Sequence, residues 1–217
     1  DAHWLSNPRS TDRDLSENLD SRLKEFIQSK EQNQRLAGIA AFSALIDLHN
    51  EAYNERVLRT SNALRVLHTD RKFKVADIET AEASVLLLKK FSGQRGSTVY
   101  RVVSNSLGNA IRTMNEPKRS PITNVRNAMI IAELGSMVPK LLIESLDSLV
   151  ESLCVVVRNP KDGDTKQRRA LRYYAVKAFE TVFEICKDQD LRGDNKVERA
   201  VSIVRSDIDK SLIPPLI

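Results

Sequence analysis

Runs of apolar residues at helical spacing recur along the chain in pairs, and that recurrence restricts the fold more than any other feature. Leu15, Leu19, Leu23 and Phe26 follow one another at steps of four, four and three, which places them on one face of an α-helix. After the polar break Ser29-Lys30-Glu31-Gln32, a second helix from Asn33 carries Leu36, Ile39, Ala40, Ser43 and Ile46 and ends near His49-Asn50. Helices this short are not stable alone, so the two must pack face to face. The same arrangement is expected over 52–91, with Tyr53, Val57, Ala63, Leu64 and Leu67 on one helix and Ile78, Ala81, Val85 and Leu88 on the next. It returns over 97–138, as Val99, Val103, Leu107 and Ile111, then Val125, Ile131, Leu134 and Val138, with Ser120-Pro121 as N-cap and first helical residue of the second helix. A fourth pair covers 139–187, as helices Pro139 to Arg158 and Thr165 to Lys187, joined by the turn-forming link Asn159 to Asp164. A final helix over 195–213 stops at Pro214-Pro215.

First helices of these pairs begin near 15, 52, 97 and 139, at separations of about 37, 45 and 42 residues, around the ~40–47 residues of HEAT and armadillo units. Second helices share an Arg ahead of small and apolar residues, in Gln34-Arg35-Leu36-Ala37-Gly38, Val125-Arg126-Asn127-Ala128 and Arg168-Arg169-Ala170-Leu171. Small residues let neighbouring helices approach, and an Arg at the start can reach carbonyls or a carboxylate in the adjoining turn. Seven Gly and seven Pro are too few for the turns of a sheet protein this long. The expected fold is therefore all-α, a HEAT/armadillo-type α-solenoid of four to five helix pairs over 15–217. A loosely held arm, 1–14, would precede it, and the whole is expected to be a piece of a longer chain.

The chain carries 34 basic and 29 acidic side chains, a formal charge of +5, with the two signs interleaved. That is a solvated helical surface rather than a nucleic-acid footprint. Cys154 and Cys186 fall in apolar helical patterns and read as small buried hydrophobes without a disulfide. No apolar run approaches the ~20 residues of a membrane span. His3, His49 and His68 have no cysteine or second histidine at ligand spacing, so no metal or cofactor is expected. Gly93-Gln94-Arg95-Gly96 lies between helices rather than beside strands and reads as a turn, not as a nucleic-acid clamp. Phosphate-binding, dinucleotide-binding and kinase motifs are all missing from the sequence, which leaves no catalytic constellation to assign.

One cluster stands out. Lys166, Arg168, Arg169 and Arg172 crowd the first turns of a long helix, where positive charge opposes the helix dipole. Asp162 and Asp164 just ahead would compensate them, or an acidic partner would, so the cluster reads either as a tie between repeats or as a docking site. Lys89-Lys90 and Lys118-Arg119 read as solvated helix ends.

Three stretches taken in order resemble the N-terminal HEAT region of the TOR family, phosphatidylinositol-3-kinase-related protein kinases. They are Asn33 to Ile46, with Arg35, Gly38-Ile39 and Leu45-Ile46; Leu58 through Asp70 to Leu88; and Val125 to Leu134 running into Val138-Pro139. Leu149 to Pro160 and Arg169 to Phe179 continue in matching order, so the similarity spans most of 20–187. Residues 97–114 carry less acidic and aromatic character than that pattern, and the third stretch lacks its paired Arg-Arg-His. The resemblance implies a non-catalytic scaffold arm of a dimeric, cytoplasmic serine/threonine kinase complex in nutrient and growth signalling. Such an arm docks Raptor-like or other regulatory subunits, and its parent can attach peripherally to endolysosomal or vacuolar membranes. The kinase active site would lie outside this chain. The alternative is another HEAT/armadillo adaptor in trafficking, transport or complex assembly; a helical nucleic-acid binder, whose affinity would fall steeply with salt, is the third reading.

Overall fold

The structure is a computed structural model that describes residues 21–23, 25–48, 77–92, 97–114, 121–158, 165–188 and 194–212, by backbone alone at 45–48, 91–92, 97–99 and 207–212. Every regular element among these residues is a helix. The helices are α1 (Gln32–Leu48), α2 (Ile78–Ser92), α3 (Ser97–Met114), α4 (Pro121–Leu134), a 3-10 turn at Gly135–Met137, α5 (Pro139–Glu144), α6 (Leu146–Arg158), α7 (Thr165–Asp188) and α8 (Asn195–Leu212). The expected arm 1–14 and the helix expected over 52–67 lie outside the described residues. The chain divides into two compact units, Asp1–Lys74 and Val75–Ile217.

In the first unit a helical stretch at 21–27 packs against α1. Leu23, Ile27, Ile39 and Phe42 are buried between them. Phe26, expected on the buried face, is 42% exposed, and Ala40 is exposed as well. Leu23 and Ile39 are buried as expected, while Ile27 is buried in place of Phe26 and Phe42 joins Ile39 in the interior. Gly38 sets the approach: a Cβ there would stand 2.8 Å from Phe26 Cβ and 3.0 Å from the Ile27 backbone nitrogen. Arg35 behaves as its position suggests, donating to the Ser29 carbonyl at 2.9 Å and the Lys30 carbonyl at 2.7 Å.

In the second unit α4 is the centre. It packs on α7, α3 and α2, while α6 packs on α8, α7 and α3. Every residue of α4 from Asn127 to Leu134 is buried, as is Val125, so this helix is covered on all sides. Its neighbours bury one stripe each: Ala81, Val85 and Leu88 on α2; Val103, Leu107, Ala110 and Ile111 on α3; Leu171, Ala175, Ala178 and Val182 on α7. Each such Leu, Ile or Val stabilises the unit by about 1.5–3 kcal/mol, so the apolar stripes rather than helix propensity hold these short helices together. Asp77 caps α2, its Oδ1 accepting from the Thr80 backbone N–H at 2.6 Å. That cap starts α2 at Ile78.

Two expected helices are interrupted. The one expected over 121–138 ends at Leu134 and tightens into the 3-10 turn. Gly135 is required there, because a Cβ would stand 2.7 Å from Leu142 Cδ1 and 3.1 Å from Thr181 Cγ2. The helix expected from Pro139 to Arg158 breaks at Ser145 into α5 and α6. The Ser145 N–H bonds the Leu142 carbonyl at 3.2 Å, and the Ser148 hydroxyl takes the Ser145 carbonyl at 3.1 Å; such hydroxyl-to-carbonyl bonds bend helices. Cys154 and Cys186 are buried and unpaired with each other. Burial pushes both thiols up from their ordinary range, so neither is a ready nucleophile. No described helix is long and apolar enough to cross a membrane.

Candidate interaction surface on α2, α4 and α7

On one face of the second unit, polar side chains from α2 and α7 meet over α4. The middle of this face is Glu133, near the end of α4 and only 7% exposed. Lys89 of α2 donates to its Oε2 at 2.6 Å, and Lys177 of α7 donates to its Oε1. One carboxylate thus holds two flanking helices to the central one. Burial by itself would raise the Glu133 carboxyl; the hydrogen bonds from Lys177 and Lys89 outweigh it and hold the group below its ordinary range. The same bond, opposed by burial, raises the Lys177 ammonium.

Chain position makes this triad informative. Lys89 lies 44 residues before Glu133, and Lys177 lies 44 residues after it. Three side chains at one equal interval thus meet from three different helices, α2, α4 and α7.

Further along the face, Lys166 near the start of α7 pairs with Glu79 in the first turn of α2. That hydrogen bond is the main reason the Glu79 carboxyl sits below its ordinary range. Between the two ion pairs, Tyr174 of α7 donates its hydroxyl to Glu82 of α2. Burial, reinforced by that bond, pushes the Tyr174 hydroxyl well above its ordinary value. Neutral bonds complete the attachment of α4: Asn127 Nδ2 donates to Thr113 Oγ1 of α3 at 2.7 Å, and Thr181 Oγ1 of α7 donates to the Ala132 carbonyl at 3.0 Å. On the other side of the unit, Arg199 of α8 reaches Asp147 of α6 at 3.5 Å.

The basic cluster singled out in the sequence divides in two. Lys166 is a tie between helices, made to Glu79. Arg169 and Arg172 are exposed and Arg168 is half-buried, and none of the three makes an ion pair with a described carboxylate. Asp162 and Asp164, expected to compensate them, lie outside the described residues. Lys89, expected as a solvated helix end, instead holds a buried carboxylate. The sequence reading passed over Glu133, Glu79, Glu82, Tyr174 and Lys177. A faint signal did exist for the first, a lone acid inside Met129-Ile130-Ile131-Ala132-Glu133-Leu134; the lysines that answer it are recognisable only once the 44-residue interval is known.

Among the described residues no group of His, Cys, Asp and Glu is placed to hold a metal ion. What the face offers is a firmly tied row of alternating charges, with Leu86 at 48% and Tyr173 at 61% exposure beside it. On this face lysines neutralise Glu79 and Glu133, while Glu82 accepts from Tyr174. Comparison with protein-family models found no match. Comparisons with curated proteins and with solved structures likewise found none.

Proposed function

We propose that this chain is a stack of helix pairs of the HEAT type that serves as a non-catalytic scaffold for protein–protein interaction. The observation that carries the reading is the Lys89–Glu133–Lys177 triad, with its two equal intervals of 44 residues. That interval lies within the ~40–47 residues of a HEAT or armadillo unit. The order of packing supports it too: α2, α4 and α7 follow one another in contact, as do α3, α6 and α8. In a stack each unit touches chiefly its neighbours; the Lys166–Glu79 and Tyr174–Glu82 ties reach past α4, from α7 to α2.

Within that reading we propose the narrower identity as well, the N-terminal scaffold arm of a TOR-type serine/threonine kinase that docks Raptor-like or other regulatory subunits in the cytoplasm. Its support is the ordered similarity of residues 33–46, 58–88 and 125–139. Immunoprecipitation of the native polypeptide carrying this segment, followed by mass spectrometry, tests it. A very long chain with a downstream kinase domain, recovered with Raptor-like subunits, is the expected result. A polypeptide lacking a kinase domain would remove the TOR identity and move the scaffold to trafficking, transport or complex assembly.

A further inference from the structure

The outer face of α7 presents a second surface, alongside the ion-paired row. Arg169, Arg172, Tyr173 and Val176 are all exposed, Tyr173 at 61% and Val176 at 51%. Arg169 and Tyr173 are four residues apart, as are Arg172 and Val176, and Tyr173 and Val176 are three apart, so the four side chains adjoin on one side of the helix. Residues 165–179 contain five basic side chains and no acidic one. Two of the five, Lys166 and Lys177, are answered by Glu79 and Glu133. Arg168, Arg169 and Arg172 are not answered by any described carboxylate, although they lie in the first two turns of a helix whose dipole disfavours cations there.

The aromatic side chain on this face is held in place. Tyr173 packs edge-to-face on Tyr174, with ring centroids 4.9 Å apart and an interplanar angle of 82°. Tyr174 is itself buried and bonded to Glu82. A large aromatic ring with only two side-chain torsions has little freedom to lose on contact, which suits a binding hot spot. The same helix continues into Glu180 and Glu184, both exposed, and these acids repel a phosphate backbone that would extend along it. The basic region is thus short, bounded by acid, and centred on an aliphatic–aromatic pair.

We propose that this face of α7 docks an acidic amphipathic helix of a protein partner. Its carboxylates would meet the forked guanidinium groups of Arg169 and Arg172, and an aliphatic side chain on the same face would rest on Tyr173 and Val176. The proposal rests on the scaffold reading for its biological sense, but its test is separate from the tests of that reading.

The test uses the whole chain and a fluorescein-labelled synthetic helix with Glu and Leu along one face, followed by fluorescence anisotropy at physiological salt. Saturable binding is expected, weakened about tenfold or more by Arg169→Glu with Arg172→Glu and by Tyr173→Ala, and retained by Tyr173→Phe. Peptides with Gln for Glu, or Ser for Leu, should each bind about tenfold more weakly. Circular dichroism and urea midpoints confirm that each variant is folded, and Arg169→Gln with Arg172→Gln replaces the charge reversal if that protein does not fold. Failure of the peptide to bind, or binding indifferent to these substitutions, would overturn the proposal. So would tighter binding of a DNA duplex that depends on the same arginines, or self-association of the chain abolished by Tyr173→Ala, which would assign the face to nucleic acid or to a second copy. None of those results would alter the spacing and packing on which the scaffold reading stands.

Discussion

A carboxylate at 7% exposure beside the apolar run Ala128 to Ala132 is costly unless it is fully answered, and Glu133 is answered by two cations. Removing one partner of a wholly buried pair costs about 3–5 kcal/mol. Here the lysines remain 53% and 38% exposed and can return to water, so Glu133→Gln is predicted to cost less, about 1–2 kcal/mol, read from the shift in urea midpoint. Lys89→Met and Lys177→Met should each cost less than Glu133→Gln, because either leaves the carboxylate one partner. A midpoint unmoved by Glu133→Gln would show that the triad holds nothing together. The pH dependence has a definite sign. Glu133 and Glu79 are held below their ordinary value near 4.5, so the stability they confer is present above that value and is lost as pH falls through the depressed folded one. Lys177 is raised above its ordinary value near 10.5 and Tyr174 above 10.0; their contribution is complete below those values and is lost as pH rises through the folded ones. Urea midpoints across pH should therefore fall on the acid side below about 4.5, and Glu133→Gln should flatten that fall.

Among the elements, the interrupted stretches are where periodicity misled and where single residues decide. Gly135→Ala would drive a methyl into Leu142 and Thr181, and a cost of about 1–3 kcal/mol is expected from overpacking. Because one of the two obstacles is the end of a leucine side chain, Leu142→Ala made together with Gly135→Ala should cost less than the two singles summed; strict additivity by urea titration would argue against that contact. Gly38→Ala meets the Ile27 backbone instead, which cannot turn aside, so it should destabilise the first unit with no such suppressor. The legible part of the fold was the helical period of stripes such as Ala81, Val85 and Leu88 or Val103, Leu107 and Ile111, since each is one-sided and long enough to show its phase. Illegible were the break at Ser145 and the turn at Gly135, which depend on local hydroxyl bonds and on the approach of α5 and α7. The burial of Ile27 in place of Phe26 was illegible for a related reason: both are apolar neighbours, and periodicity does not choose between them. Within the candidate site, the density of Lys166, Arg168, Arg169 and Arg172 was visible in sequence, but its division into one tie and three arginines without a described carboxylate depends on which α2 carboxylates lie within reach.

Stacking, as proposed, makes each helix pair of the second unit depend mainly on its neighbours. Circular dichroism should report a dominantly helical protein, and a strong sheet signal would contradict the fold. The second unit, 75–217, is compact in itself and is predicted to fold when expressed alone, with a single cooperative urea transition. Stacking has a sharper consequence at its end. The contacts of α8 fall chiefly on α6, whereas α4 is enclosed by α2, α3 and α7. A closed helical bundle loses its core when any wall is removed; a stack loses only the contacts next to the missing piece. The decisive measurement is residue-resolved hydrogen exchange on the chain with and without α8. Protection should persist in α2, α4 and α7 and weaken chiefly in α6, as nearest-neighbour stacking requires. Loss of protection throughout α2–α7 would contradict the stacked architecture, and with it the scaffold role built upon it.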